Sequence, residues 1–303
     1  MSQVVRDLTR PTARQLASTE LTQANAALEP YDGMQVSEAE YWRCYADWPD
    51  VTFEWHDGRL EAKGVSDWAT ILVFQWFTGL IRYFLDSHGG GQFVNQELGF
   101  SFSLTTQETR RRSIRRPDTA VILPDNPHQL QPSDRTYQGV FDLCLEALSD
   151  SDPNQKARDQ VTKVREYAQA GVAEYYILAA NLRDCAFYRR DTEGRYTPLL
   201  PDQDGVMASA SLPGLRWRWR DLARQPSLEA LLADPVYQGY VLPEFNQSQA
   251  DKAAALQRAE QEARRADQES RRAEQEARRA DQEAARAERL SDRLRQFGID
   301  PLD

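Results

Sequence analysis

Short apolar segments, each bounded by turn residues, follow one another through the middle of the chain. In TFEWHDGRLEAKG (52–64), two runs of alternating apolar and polar residues flank Asp57-Gly58, a pair that favours a tight β-hairpin. Further strand-like runs are GGGQFVNQELGFSFSL, RRPDTAVILPD, GVFDLCLEALSD, AEYYILAANLRDCAFYRRDTEGRYTPL and LRWRWRDL. Their apolar, aromatic and β-branched content predicts a sheet with several buried strands.

Helical periodicity separates some of these strands. SEAEYWRCYADW begins with Ser37, has Glu40 at the capping-box position, and predicts a short helix. The segment 67–85 is apolar but carries polar residues at helical spacing, which indicates a buried amphipathic helix. A further helix is predicted over 157–171, ending at Gly171. Strands and helices in this order predict an α/β fold, with a mixed β-sheet core flanked by helices.

The tail has a different pattern. From residue 256 a seven-residue repeat appears, AEQEARR ADQESRR AEQEARR ADQEAAR AERLSDR, with small or apolar residues at alternating spacings of three and four. This spacing is typical of a coiled-coil seam. Because alanine buries little area, two interpretations remain: a close-packed coiled coil joining two copies, which is favoured, and a solitary charged helix.

These patterns predict three parts. A poorly ordered segment is expected over 1–36, a globular domain over 37–245, and the heptad-repeat helix over 246–297.

Charge and cysteine content restrict the function classes. The 303 residues carry a net charge of −10, and the heptad segment is nearly neutral, so the acidity lies in the globular part. Charge alone therefore does not indicate a nucleic-acid partner. Three cysteines without a C-x-x-C pair argue against a zinc site and a disulfide framework. With no signal-like N-terminal segment, we expect a cytoplasmic protein without a membrane partner.

Two carboxylates stand beside apolar runs. Asp118 precedes TAVIL and Glu146 follows FDLCL. A carboxylate at such a place is unfavourable unless a cation or hydrogen bonds compensate it. If the two strands pair, Asp118 and Glu146 can face one point and bind a hard cation such as Mg²⁺ or Mn²⁺. The alternative is that Asp118 caps a strand and Glu146 pairs with an arginine.

The helix after Glu146 offers a third group. Asp159, Lys163 and Tyr167 recur four residues apart, on one helix face. If that face points at the carboxylates, Lys163 can position or deprotonate an attacking water and neutralise developing phosphate charge. On a surface helix, Asp159 and Lys163 would form only an exposed ion pair. Upstream, Glu54 could supply one more oxygen.

A basic run, RRRSIRRPD, leads into Asp118. It could hold a phosphate near a metal, or it could be a solvated hairpin tip. Its arginines are Arg110, Arg111, Arg112, Arg115 and Arg116.

Four segments together resemble the Uma-two family, restriction-endonuclease-like proteins within the PD-(D/E)xK nuclease superfamily: FEWHDGRLE, IRRPDTAVIL, FDLCLEALSDSDP and RDQVTKVREYAQAGVAEYYIL. The similarity spans about residues 37–222. It implies a restriction-endonuclease-like core in which Asp118 belongs to the PD element and Glu146 is the second acid. Lys163 then matches the lysine that this family takes from the next helix, and Glu54 matches its early glutamate.

Three positions depart from the pattern that the resemblance implies. Leu148 stands where most of the superfamily has its lysine. Asp67 and Trp68 stand where a histidine often occurs, and Ala179 where an aspartate often occurs.

The leading hypothesis is a Mg²⁺- or Mn²⁺-dependent DNA endonuclease. Asp118 and Glu146 would hold the metal, Lys163 would align the water and Glu54 would assist. A homodimer joined through the C-terminal helix is expected, because two sites serve to cut both strands of a duplex.

The alternative is a catalytically weak or inactive nuclease-fold scaffold that self-assembles through its coiled coil. A glycosidase with paired carboxylates is a third hypothesis. It is disfavoured because no aromatic sugar platform is evident, although Trp217 and Trp219 alternate on a strand.

Overall fold

The hairpin expected at Asp57-Gly58 starts a five-stranded sheet in the computed structural model, which describes residues 31–49, 51–105, 110–148 and 153–296. Its two turn residues have φ of 45° and 86°, as a tight hairpin turn requires. The strand order is β2-β1-β5-β4-β7. The strands are β1 (Phe53–His56), β2 (Arg59–Ala62), β4 (Gly99–Thr105), β5 (Arg110–Arg115) and β7 (Thr136–Tyr137).

A six-stranded sheet carries most of the buried core. Its order is β11-β10-β9-β8-β6-β3, in which β6 pairs antiparallel with β8 and β8 pairs parallel with β9. The strands are β3 (Gln92–Asn95), β6 (Thr119–Ile122), β8 (Leu143–Ala147), β9 (Glu174–Leu178), β10 (Ala186–Arg190) and β11 (Tyr196–Pro198). β6 and β9 are buried along their whole length, which explains their nearly continuous apolar runs. The predicted mixed sheet is confirmed.

Helices flank these sheets. A short helix α1 (Glu38–Glu40) continues as a π-helical segment (Tyr41–Tyr45), and Ser37 caps it by accepting a hydrogen bond from the Glu40 amide. A long helix α2 (Trp68–Ser87) follows. The next helical stretch consists of α3 (Pro153–Ala157), a π-helical segment (Arg158–Thr162) and α4 (Lys163–Ala170). It ends at Gly171, as predicted, where φ is +100°.

Smaller elements follow in the chain after β11. β12 (Val206–Ala208) and β13 (Arg216–Arg218) form a two-stranded sheet, followed by α5 (Asp221–Arg224) and α6 (Leu228–Ala233).

Helix α2 forms part of the core. Its buried face includes Val73, Phe77, Ile81 and Phe84. The Phe77 ring packs edge-on against the Trp217 indole, with centroids 5.0 Å apart. Among the described helices, α2 alone is long and apolar enough to cross a membrane, a property that the core helix of a soluble protein shares.

A second, smaller core includes buried residues of β1, β2 and β5 in the five-stranded sheet. Val36 and Tyr41 are buried there with Phe53, and the Tyr31 ring lies 5.6 Å from that of Trp48. Of residues 31–36, which the predicted poorly ordered segment included, Val36 is buried, Tyr31 and Met34 are partly buried, and Asp32, Gly33 and Gln35 are exposed. Residues 1–30 of that prediction lie outside the described residues.

The chain divides into two compact units after Leu242. The second unit contains the 54-residue helix α7 (Pro243–Gln296), which begins three residues before the predicted boundary at 246. Within it Leu256 is 64% exposed and Leu290 is 53% exposed. The predicted long helix is present, and its pairing into a coiled coil stays a prediction.

Candidate active site

The site begins with the pairing of β6 and β8. Thr119 lies opposite Leu145, so the side chains of Asp118 and Glu146 are brought together at the same end of the two strands. The Glu146 side chain is 1% exposed and that of Asp118 is 19% exposed. Asp118 Oδ2 accepts a hydrogen bond of 2.7 Å from the Ala147 amide, which fixes its carboxylate against β8.

A lysine that sequence reasoning missed lies between these two acids. Lys63 Nζ is 2.8 Å from Asp118 Oδ1 and 3.2 Å from Glu146 Oε2. It also donates to the Arg116 carbonyl oxygen at 2.5 Å. A lysine just after a strand is typical of the protein surface, and the sequence around Lys63 contains no signal that it is buried.

Lys163 lies on the other side of Glu146. Its Nζ is 2.9 Å from Glu146 Oε1, 3.0 Å from Asp159 Oδ1 and 3.4 Å from Glu54 Oε2. Tyr167 donates to the same Glu146 oxygen at 3.0 Å. The predicted helix face thus meets Glu146, and a π-helical turn, which often occurs at functional sites, carries Asp159.

The carboxylates determine the protonation of Lys163. Burial alone would lower its pKa, but Asp159, Glu146 and Glu54 outweigh burial and hold the pKa well above 10.5. Lys163 therefore stays an ammonium at neutral pH. Of the two roles expected from the sequence, orienting groups and supplying positive charge fits this environment, whereas taking a proton from water does not.

For Glu146, burial outweighs the neighbouring positive charges. Burial raises its pKa above 4.5, and Lys163 and Lys63 offset only part of that effect. The carboxylate of Glu146, inside an apolar strand, accepts hydrogen bonds from the ammonium groups of Lys63 and Lys163 and from the Tyr167 hydroxyl.

Glu54 lies behind Lys163, within a buried network. Its Oε1 accepts from the Arg116 amide at 2.8 Å, and its Oε2 accepts from Arg115 at 3.0 Å. Burial would raise its pKa, but Lys163, Arg115 and Lys63 outweigh burial and hold the pKa far below 4.5. Both Glu54 oxygens are engaged by donors, so the structure places Glu54 to hold Lys163 and not beside Asp118.

Arg115 is the centre of that network and is fully buried. Its guanidinium binds both oxygens of Glu166, at 2.6 and 2.9 Å, and also contacts Glu61. Burial would raise the pKa of Glu166, but the charge of Arg115 and hydrogen bonds from His56 and Arg115 lower it to about 2. Sequence reasoning treated Arg115 as one of a basic run and did not anticipate this role.

The basic run divides between solvent and core. Arg111 pairs with Asp57 at 3.4 Å and Arg112 with Glu38 at 2.5 Å, both with about half of the side chain exposed. These two match the interpretation as a solvated hairpin. Arg115 and Arg116 are buried, because β5 is enclosed on both faces from Ser113 onward. The side chain of Arg110 lies outside the described residues.

Among the positions that depart from the expected family pattern, Leu148 is buried, and its amide donates to the Leu178 carbonyl oxygen at 2.8 Å. Asp67 caps α2, its Oδ1 accepting from the Thr70 amide at 2.6 Å. Trp68 is 66% exposed, and Ala179 is buried. Ser66 donates to the Ala147 carbonyl at 2.9 Å and ties this loop to the end of β8.

A small cavity of about 20 Å³ opens at the two acids, with room for about one water molecule or ion. Its lining combines three cationic side chains, three carboxylates and neutral groups: Lys63, Gly64, Asp118, Glu146, Ala147, Gln155, Arg158, Asp159 and Lys163. Glu54 does not line it.

Asp118 and Glu146 are the candidate ligands for a divalent metal. Within the described ranges, no group of three or more His, Cys, Asp or Glu side chains is placed to hold a metal ion. Asp118 and Glu146 nevertheless share one cation, the Lys63 ammonium. Mg²⁺ is commonly held by one or two carboxylates and keeps several waters, so this pair fits it.

The sequence matches the model of the Uma2 family, described as "Putative restriction endonuclease", over residues 39–223. No curated protein matches the chain. Among solved structures, a putative nuclease belonging to DUF820 from Anabaena variabilis ATCC 29413 is similar, with 11% identity and a TM-score of 0.48. That match covers 63% of this chain and 98% of the other. Because the family model spans more than half of the sequence, the chain belongs to the Uma2 family and has its restriction-endonuclease-like fold.

Proposed function

We propose that this Uma2 protein is an endonuclease that hydrolyses DNA phosphodiester bonds with a divalent metal, Mg²⁺ or Mn²⁺, held by Asp118 and Glu146. One observation carries the proposal: Asp118 and Glu146 already converge on a single cation, the Lys63 ammonium, at the wall of a small polar cavity. Family membership supplies the reaction class.

The chain's own residues have separable roles in this proposal. When bound, the ion supplies Lewis-acid polarisation and positive charge at the scissile phosphate. Lys163 orients Glu146 Oε1 and adds a permanent positive charge beside the developing phosphate charge. Glu54 and Asp159 hold Lys163 in place, which makes them positioning residues.

The glycosidase hypothesis is not supported by the environment of the tryptophans. Trp217 is fully buried and packs against Phe77 and Phe187. Trp219 is partly buried and packs against the core. Trp217 lies on β13 and Trp219 directly follows that strand, and neither indole lines the cavity at Asp118 and Glu146 as a sugar platform would.

The scaffold hypothesis keeps one specific observation in its favour. Asp118 pairs with Lys63, and Glu146 pairs with Lys63 and Lys163, so both acids already have cationic partners without a metal. In this second candidate function, the body is an inactive fold and α7 provides self-assembly.

The test of the proposal is cleavage by the full-length wild type. Supercoiled plasmid, single-stranded DNA and RNA are each incubated with Mg²⁺, with Mn²⁺, or with a chelator. We expect nicking of plasmid DNA with either metal and none with the chelator. Absence of cleavage on every substrate, by a folded protein, would favour the scaffold function.

Removing the tail after Gln249 tests the proposed homodimer. The body forms a compact unit by itself, whereas α7 offers a small-residue seam for a second copy. We expect the full chain to sediment as a dimer and the truncated chain as a monomer, with single-strand nicking retained. A monomeric full-length protein at tens of micromolar would contradict the dimer.

A further inference from the structure

We infer that Lys63 is an internal competitor of the divalent ion: its ammonium occupies the position between Asp118 and Glu146, and the ion binds only when Lys63 leaves. This inference rests on the proposed metal-dependent function. It adds a regulatory residue that lies outside the acids and the helix lysine expected from the sequence.

The hydrogen bonding of the two acids places the competition at one oxygen of each. Asp118 Oδ2 is engaged by the Ala147 amide, and Glu146 Oε1 by Lys163 and Tyr167. The oxygens that remain for a cation are Asp118 Oδ1 and Glu146 Oε2. These are the two carboxylate oxygens that Lys63 holds.

Lys63 is also fully satisfied where it lies. An ammonium has three hydrogens to donate, and Lys63 Nζ has three acceptors: Asp118 Oδ1, Glu146 Oε2 and the Arg116 carbonyl. The lysine-filled state is therefore a stable alternative to the metal-filled state, and an incoming ion must replace all three contacts.

Repulsion between Lys63 and the ion would prevent both from lying between Asp118 and Glu146. Glu146 is already paired with the two ammonium groups of Lys63 and Lys163, and Asp118 is paired with Lys63. A divalent ion added to that set would place three cationic groups around Glu146, with strong repulsion at contact distance.

Lys63 is the ammonium that can move. Its side chain is 10% exposed and lines the cavity, next to Gly64 at the end of β2. Lys163 is 2% exposed and is held by three carboxylates. The flexible four-carbon stem of Lys63 allows its ammonium to swing out without a backbone change.

The test measures Mn²⁺ binding to full-length protein by calorimetry and by the loss of the free-ion electron paramagnetic resonance signal. Lys63→Met is compared with wild type and with Lys252→Met, which removes the same charge from the exposed surface of α7. We expect Lys63→Met to bind Mn²⁺ about tenfold to a hundredfold more tightly, and Lys252→Met to bind like wild type. Lys63→Gln keeps a polar side chain without the charge, and its Mn²⁺ affinity should lie between those of wild type and Lys63→Met.

Two further measurements distinguish the possible outcomes. Mn²⁺ should raise the melting temperature of Lys63→Met more than that of wild type, which reports binding even if the variant is less stable without metal. Adding Glu146→Gln to Lys63→Met should remove the gain in affinity. Equal or weaker binding by Lys63→Met, with wild-type binding intact, would overturn the competition and leave the proposed function standing. No binding by either protein at millimolar Mn²⁺ would overturn both.

Discussion

Lys163→Met is expected to lower the free energy of unfolding by about 3–5 kcal/mol at neutral pH. The substitution leaves three buried carboxylates, Glu54, Glu146 and Asp159, without the ammonium that they share. In the fraction that folds, metal-dependent nicking should fall by at least about a hundredfold, because a fixed charge beside the phosphate is lost. Urea unfolding and plasmid nicking below the unfolding temperature measure the two effects.

Lys156→Met is the matched control for this prediction. Lys156 lies on the same helical stretch, but its side chain is 35% exposed and pairs with Asp184 at 2.8 Å. An ion pair of this kind is worth about 0–1 kcal/mol, so this variant should resemble wild type in both assays. Wild-type stability and cleavage in Lys163→Met would contradict the placement of Lys163 at the centre of the site.

Arg115→Met should also destabilise the protein by about 3–5 kcal/mol, since it leaves buried carboxylates unpaired. Arg115 is fully buried and binds Glu166 through two hydrogen bonds and Glu54 through one. The loss should be measured against Arg112→Met. Arg112 lies on the same strand, is half exposed, and pairs with Glu38, so its removal should cost less than about 1 kcal/mol.

The Arg115 effect should depend on pH in a defined direction. The pKa of Glu166 is lowered from 4.5 to about 2 in the folded protein. An acid whose pKa is lower in the folded than in the unfolded protein contributes stability that is present above the unfolded pKa. That stability is lost as the pH falls through the folded pKa. The difference in the free energy of unfolding between wild type and Arg115→Met should therefore be largest above pH 4.5 and become smaller towards pH 2. A gap that stays constant over this window would indicate that lost packing, and not charge, is responsible.

The convergence of Asp118 and Glu146 was predictable because it depends on local patterns. Two apolar runs predict buried strands, and neighbouring strands that pair bring the flanking acids together. The hairpin at Asp57-Gly58 and the helix end at Gly171 were predictable for a similar reason, since each requires a positive φ that glycine readily adopts.

Lys63 and Arg115 could not be identified this way, because their roles arise from contacts between distant parts of the chain. Lys63 is separated from Asp118 by 55 residues and from Glu146 by 83. Its own neighbourhood resembles a strand end at the surface. Arg115 and Arg112 belong to one basic run, and the run does not encode that Arg115 is buried while Arg112 is half exposed.

The proposed nuclease activity is tested most directly by conversion of supercoiled plasmid to nicked circles, with Mg²⁺ or Mn²⁺, by wild type and Glu146→Ala. Glu97→Ala, which changes an exposed glutamate, serves as the control. We predict metal-dependent nicking by wild type and Glu97→Ala, and a loss of at least about a hundredfold in folded Glu146→Ala. Equal nicking by wild type and Glu146→Ala, or none by a folded wild type, would contradict the assignment.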